Sequence, residues 1–368
     1  MTTTFSLKYM LQPAAVDICI GHGILAGTLI TQCKKIGYRV ALMADDTVAA
    51  LHGAQVLAVL LKNEIPAELL TFPAGEKSKN RDTKAALEDQ LFAKKYGRDT
   101  LLIGLGGGVT TDLVGFLASS FCRGVPFLLL PTSLLAMVDA SLGGKTGLNV
   151  PAGKNLVGSL YHPRGVYMEL DFLKSLPAKE LQNGLVEMIK HGIVLDASYF
   201  AALETQALAH VLDMPQLILQ SCQIKQVVVQ EDEFEQGKRR LLNFGHTIGH
   251  ALEAASGYTL SHGDAVALGM IGELELALAE GYAPAAVLPR LKKLYALLGI
   301  DPKISFKTTP KQLYELMQLD KKSLDQTPRF VMLTQIGHAE PFAGVFCRPV
   351  EQAVLFNVLE RMCVCYAS

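Results

Sequence analysis

The stretch "LLNFGHTIGHALE" (241–253) places His246 and His250 four residues apart. On a helix that spacing puts both imidazoles on one face, about one turn apart. Zinc proteases use the same pair but need a glutamate directly after the first histidine as general base. Here that position is Thr247. A catalytic metal therefore needs other ligands, about three in all with one position left open. The seven cysteines (Cys19, Cys33, Cys122, Cys222, Cys347, Cys363 and Cys365) are scattered and form no C-x-x-C pair. This argues against a thiolate zinc site and against a disulfide framework. Histidine and carboxylate must serve, and the candidates are Glu187, His191, His210, His246, His250 and His262. His262, in "LSHGDAV", follows His246 at a separation that a helical hairpin closes. Glu187, in "NGLVEMIKHG", shares a helix face with Lys190 and His191. Lone histidines such as His210 and His191 read as hydrogen-bonded structural residues. Three histidines within seventeen residues, flanked by glycines, read as a metal site.

A second kind of chemistry is suggested by cations and glycines. Lys145, Lys154, Lys190, Lys225, Arg239, Lys321 and Lys322 are far apart in sequence, and several stand beside glycine or asparagine, as in "GGKTG" and "AGKNL". Such residues suit an anionic ligand whose phosphate and carboxylate need separate partners. The plain alternative is a solvated face, above all for "KRR" (238–240). "LLIGLGGGVTTD" sets Gly104, Gly106, Gly107 and Gly108 between a strand and a helix, where bare amides suit a pyrophosphate. It is not G-x-G-x-x-G, and a tight turn is the plain reading. Asp45 follows a strand, where an acid holds a ribose, but "ADDTV" equally reads as a helix cap. "PAGEKSK" (73–79) also follows a strand.

The elements that must position these groups alternate in the first half. Strands are expected over 38–44, 67–72, 99–108 and 126–131, with helices over 46–62, 81–95 and 109–121. That alternation implies a parallel sheet covered on both faces. From about Pro177 apolar residues recur at helical spacing through 177–194, 215–232, 246–256, 264–280 and 286–298, with a late apolar piece at 329–334. The expected architecture is an α/β domain over 1–170 followed by a mainly α-helical domain over 171–368. The glycine-rich stretch 139–165 reads as a long functional loop. The 368 residues are 50% hydrophobic and 19% charged with a net charge of −1, which points to neither nucleic acid nor a membrane surface. The beginning, "MTTTFSLKYMLQPAAVDICI", lacks a signal-peptide pattern, so a cytoplasmic enzyme is expected.

Several segments together resemble the 3-dehydroquinate synthase family of sugar-phosphate cyclases. They are "GLGGGVTTDLVGFLASSFCRG" (104–124), "PTSLLAMVDASLGGKTGLN" (131–149), "GKNLVGS" (153–159), "NGLVEMIKHG", "LLNFGHTIGHALE", "HGDAVALGM" (262–270) and "DKK" (320–322). The resemblance covers nearly the whole chain. It implies an NAD-binding domain with a Rossmann-like parallel sheet, then a helical domain holding metal and substrate. It also implies conversion of 3-deoxy-D-arabino-heptulosonate 7-phosphate to 3-dehydroquinate and phosphate. By resemblance Glu187, His246 and His262 are ligands to zinc or cobalt, and His250 is similar to the family's catalytic histidine, grouped with Lys145, Asn155 and Lys190. Arg123, Asp139, Lys154, Lys225, Arg239, Asn243, Lys321 and Lys322 fall on substrate-binding positions. Asp45, Glu76, Lys79, Gly107, Gly108, Asp112, Thr132 and Ser133 fall on NAD contacts. Arg123 matches an arginine that reaches the neighbouring subunit's site, which implies a homodimer. Two departures stand out: "HGE" is "HGD" here, with Asp264 one methylene shorter, and "PTTLL" is "PTSLL". The competing readings are a cyclase that makes a cyclitol, a plain NAD-dependent polyol dehydrogenase, and a non-catalytic NAD-binding subunit.

Overall fold

The computed structural model describes residues 15–151, 153–319 and 327–367. These divide into two compact units. One takes the described residues up to Thr132 together with Gly144–Phe172, and the other takes Ser133–Gly143 with Leu173 onward.

The first unit is built on a six-stranded sheet. Its strands are β1 (Asp17–Gly21), β2 (Arg39–Asp45), β3 (Ala67–Phe72), β4 (Thr100–Gly106), β5 (Phe127–Pro131) and β8 (Gly165–Glu169). The order is β1-β8-β5-β4-β2-β3 and every pairing is parallel. The interior strands β4, β5 and β8 are buried at every residue, which is why they read as continuous apolar runs rather than alternating ones. Helices α1 (Ile30–Ile36), α2 (Asp46–Val48), α3 (Ala54–Lys62), α4 (Arg81–Ala93) and α5 (Gly108–Ser120) lie between the strands in sequence. Four strands were expected and six are present. β1 is short and half-exposed at the sheet edge, too brief for a periodic signal.

The expected loop over 139–165 is a correction. Its greater part is an antiparallel hairpin, β6 (Lys145–Val150) with β7 (Gly153–Leu160). Glycines hid the alternation. Gly147 and Gly158 face one another across the ladder. A Cβ at Gly158 would sit 2.0 Å from the Thr146 carbonyl oxygen, so the composition that looked like loop is what lets these strands meet.

The second unit is helical. It contains α6 (Ala178–Leu195), α7 (Ala197–Leu208), α8 (Met214–Glu231), α9 (His246–Ala255), α10 (His262–Ala279), α11 (Val287–Leu297), α12 (Pro310–Leu319) and α13 (Gln352–Cys365). A small antiparallel pair, β9 (Leu333–Gln335) and β10 (His338–Ala339), joins them. The apolar piece at 329–334 contributes β9 only at its end, while Phe330 bridges to Arg348. Caps fix the helix starts. The Asp196 carboxylate accepts from the Ser198 and Tyr199 amides at 2.9 and 3.0 Å, and Ser261 Oγ accepts from the Asp264 amide at 3.2 Å. Helix α10 is buried along almost its full length. It meets α9 backbone to backbone: a Cβ added at Gly269 would lie 1.8 Å from the Gly245 carbonyl oxygen.

Gly269→Ala should therefore cost at least about 1–3 kcal/mol by overpacking. Thermal melting checks this, with Gly27→Ala as control, where nothing lies within 4 Å of the added carbon. A melting temperature equal to wild type in Gly269→Ala would contradict the close packing.

Candidate active site

Glu187 stands in the middle of α6 with 0% exposure. His246 is the first residue of α9 and His262 the first of α10. Gly263, beside His262, donates its amide to Asn183 Oδ1 at 3.1 Å, which ties the start of α10 to α6. These connections bring His246 Nε2 to 3.5 Å and His262 Nε2 to 3.4 Å from Glu187 Oε1. One donor atom from each residue lies within 4.8 Å of the others.

The surroundings suit a cation. Both Glu187 oxygens are buried without a hydrogen-bond donor, although the Lys190 ammonium forms an ion pair with one of them. His246 Nδ1 lies 3.2 Å from the Phe244 carbonyl, which favours a proton on Nδ1 and leaves the Nε2 lone pair facing Glu187. His262 Nδ1 faces Glu253 Oε1 at 3.6 Å, and Glu253 is itself buried. Burial disfavours a charged His262, but the carboxylates of Glu187 and Glu253 outweigh it and raise its pKa to about 10. A divalent ion must displace that proton, since only neutral imidazole coordinates. One carboxylate and two imidazoles, with outer hydrogen-bond partners, fit zinc or cobalt.

Two other groups of possible ligands are poorer. His22, Glu169 and Asp171 come together, but Glu169 accepts from the Gly23 and Ile24 amides and Asp171 pairs with His22 at 3.0 Å. Asp139, Glu187 and His191 also converge, but two ammonium groups already neutralise these carboxylates.

Among the remaining residues of the helical unit, Asp139 and its cation Lys225 lie beside the Glu187 cluster. Lys225 donates to the Asp139 carbonyl at 2.6 Å and forms an ion pair with its carboxylate. Burial would raise the Asp139 pKa, but Lys225 and Lys190 hold it well below the usual range. Arg239, 2% exposed, donates to the Glu233 carbonyl at 2.6 Å and the Gly143 carbonyl at 3.0 Å. Asn243 donates to Glu235 at 2.6 Å. His250 is half-buried, its ring edge-on to His246 at 5.4 Å between centroids. His191 is fully buried with Nδ1 2.8 Å from Ser221 Oγ. Burial, then the Lys190 charge, lowers its pKa to about 3, so it is neutral, as the structural reading expected. His210 is exposed. Thr247 donates to the Arg329 carbonyl at 2.9 Å and is no base. Asp264 accepts from Lys179 at 2.5 Å and from Ser261 at 2.9 Å, so the shortened side chain serves the start of α10.

In the sheet unit, Gly107 caps α5 and Gly108 begins it, just past the end of β4. The Thr132 amide donates to the Gly106 carbonyl at 3.0 Å. Buried Lys79 forms an ion pair with Asp112 and donates to Asn155 Oδ1 at 2.6 Å. Asp45 caps α2 by accepting from the Val48 amide at 3.0 Å. Lys145 is exposed and Lys154 half-buried, both on the hairpin. Arg123 is exposed in a turn where Cys122, Arg123 and Gly124 all have positive φ. Ser133, in the helical unit, accepts from the Ala136 amide at 3.3 Å. Lys321 and Lys322 lie outside the described residues. Sequence reasoning missed Glu253 and Glu235. Glu253 carried a signal, since it falls on the same helix face as His246 and His250.

The 3-dehydroquinate synthase N-terminal model matches residues 69–183 and the C-terminal model matches 184–323. A 3-dehydroquinate synthase of Pelobacter propionicus is 40% identical over 329 residues, covering 87% of this chain and 91% of the relative. Another, from Xylella fastidiosa (strain 9a5c), is 40% identical over 340 residues, covering 89% and 86%. The chain belongs to the 3-dehydroquinate synthase family. Among solved structures, 2-deoxy-scyllo-inosose synthase complexed with carbaglucose-6-phosphate, NAD+ and Co2+ aligns with TM-score 0.86 and 25% identity, covering 94% of this chain and 96% of that one. ValA, a 2-epi-5-epi-valiolone synthase from Streptomyces hygroscopicus subsp. jinggangensis 5008 with NAD+ and Zn2+ bound, aligns with TM-score 0.84 and 27% identity, covering 97% and 99%. An iron-containing alcohol dehydrogenase shares the fold at TM-score 0.64 and 14% identity. Membership in the 3-dehydroquinate synthase family carries its activity: the chain makes 3-dehydroquinate.

His246→Ala or His262→Ala should abolish binding of one cobalt ion per chain, read from the visible spectrum. Glu253→Ala should weaken it about ten- to a hundredfold. Binding should release protons and weaken as pH falls, because the imidazoles must be neutral to coordinate. Full cobalt binding by His262→Ala would refute this ligand set.

Proposed function

We propose that the chain acts as an NAD- and metal-dependent carbon–oxygen lyase. It converts 3-deoxy-D-arabino-heptulosonate 7-phosphate to 3-dehydroquinate by phosphate elimination and intramolecular aldol closure, with no net redox change. The observation that supports this best is the convergence of Glu187, His246 and His262 beside Lys190. These three residues would hold zinc or cobalt. Asp45, Glu76, Lys79, Gly107, Gly108, Asp112, Thr132 and Ser133 would hold NAD. When bound, the ion supplies positive charge to a substrate oxygen as it becomes anionic, and NAD supplies a reversible hydride acceptor at C5.

The chain's own residues do the rest. His250 takes or relays the hydroxyl proton. Lys145, Asn155 and Lys190 complete the catalytic group, orienting the substrate. Lys154 and Arg123 hold the phosphate, whose negative charge grows as its bond to carbon breaks. Lys225 and Arg239 hold the C1 carboxylate, with Asp139 keeping the Lys225 ammonium in place. Asn243, Lys321 and Lys322 bind the remaining substrate oxygens. A cyclitol-forming cyclase would have no use for a carboxylate site, and the two buried cations Lys225 and Arg239 favour a carboxylated substrate over that reading. Arg123, exposed on a strained turn, is suited to reach a second subunit, so the working assembly is a homodimer. With no helix long and apolar enough to cross a membrane among the described residues, a cytoplasmic site of action is part of the same reading.

Purified protein given the heptulosonate phosphate, NAD and zinc should release phosphate without lasting NADH, and a chelator should stop it. Accumulating NADH without phosphate would mean a dehydrogenase instead. Lys225→Ala or Arg239→Ala should raise KM about ten- to a hundredfold, the loss of one charged hydrogen bond. Unchanged kinetics would remove that residue from the carboxylate site. Mixing inactive Arg123→Ala chains with His246→Ala chains, inactive through loss of the metal, should restore activity if arginine crosses the interface. No recovery from a mixed dimer would place Arg123 in its own subunit's site.

A further inference from the structure

Asn149 closes the "GGKTGLN" segment, and nothing above gives it a task. It lies near the end of β6 and is half-exposed. It makes three hydrogen bonds in three directions. Its side-chain Nδ2 donates to Glu76 Oε1 at 2.7 Å. Its Oδ1 accepts from the Asn155 amide at 3.0 Å. Its own amide donates to the Lys79 carbonyl at 2.8 Å. Both ends of the amide are therefore used, and each end faces a different segment.

The partners are what make this more than a turn. Glu76 opens a single turn of 3-10 helix after β3 and Lys79 closes it, in the segment assigned to NAD. Asn155 lies on β7, in the catalytic group that orients the substrate, and its backbone sits at φ +55. Asparagine tolerates that conformation better than most residues, and its contacts fix it there. The bond from the Asn155 amide to Asn149 is one such constraint. The bond from Lys79 Nζ to Asn155 Oδ1, at 2.6 Å, is another. Asn155 is thus pinned at its backbone by Asn149 and at its side chain by Lys79, and Asn149 also holds the Lys79 main chain.

We infer that Asn149 is a positioning residue that sets Asn155 in register with the Glu76–Lys79 segment, so that substrate and NAD groups are aligned by one amide. The inference rests on the functional reading above. Only an amide meets the demand. Aspartate would accept from Asn155 but set a carboxylate against Glu76, whereas alanine would lose both side-chain bonds.

The exchange of groups between positions 76 and 149 tests it. NAD affinity is measured by titration calorimetry on the zinc-loaded enzyme, and kcat and KM for the heptulosonate phosphate are measured on the same samples. Asn149→Ala and Asn149→Asp should each weaken NAD binding and lower kcat by about tenfold or more, with a smaller change in substrate KM. Adding Glu76→Gln to Asn149→Asp should restore NAD affinity to within about threefold of the Glu76→Gln single variant, because the amide then donates from position 76. A general loss of structure would not be repaired by that second change. Wild-type behaviour in Asn149→Asp, or a defect that Glu76→Gln does not repair, overturns the inference while leaving the functional reading intact. A wild-type enzyme that neither binds NAD nor releases phosphate overturns both.

Discussion

A carboxylate with no access to water is the constraint around which the helical unit is arranged. Glu187 has 0% exposure, and an isolated charge there would be prohibitively unfavourable. Burial would raise its pKa, yet the neighbouring Lys190 charge and the His262 imidazole keep it lowered and therefore ionised. Lys190 neutralises one side, and His246 and His262 bring their Nε2 atoms to the other. Glu187, His246 and His262 would hold a divalent ion, which would balance this charge better than a proton can. A buried ion pair is weak evidence for stability. Here it makes sense as a site whose charge is kept for chemistry.

Holding that arrangement requires main chains to pack unusually close. Two of the three donors sit at helix starts, where a small rotation of the helix moves a side chain far. The near-contact of Gly269 with Gly245 removes that freedom between α9 and α10. The bond from the Gly263 amide to Asn183 does the same between α10 and α6. The Phe244 carbonyl and Glu253 then fix which nitrogen each imidazole offers. Packing sets the position of the rings, and hydrogen bonding sets their protons.

The sheet unit solves a related problem with polar contacts. Lys79, 4% exposed, is a buried cation shared between Asp112 and Asn155. It connects the segment after β3, the second turn of α5 and the hairpin. The glycines after β4 leave the α5 amides bare, as a pyrophosphate requires. Charge here is satisfied internally, yet each partner reaches the same small region of the unit.

Much of this was legible in the residues. Uniform apolar runs separated by helical periodicity gave the parallel sheet, because a strand covered on both faces has no polar side to show. The helical half was visible for the same kind of reason, and the four-residue step from His246 to His250 was a true helix face. The spacing alone, however, did not show that Glu187 stands beside His246. Covalent neighbours report the local period only, and Glu187 joins the site through contacts between helices distant in sequence. The hairpin at β6 and β7 was hidden because its glycines, which look like loop, permit a close strand pairing that only the partner strand makes evident. Asp45 offered a ribose contact and a helix cap, and the fold supplies the cap. The sequence by itself determined the element types and the inventory of ligands and cations, since these depend on periodicity and side-chain chemistry. The tertiary structure decided which donors share a centre, which nitrogens they present and which histidine is merely structural, since these depend on distances that no local pattern encodes.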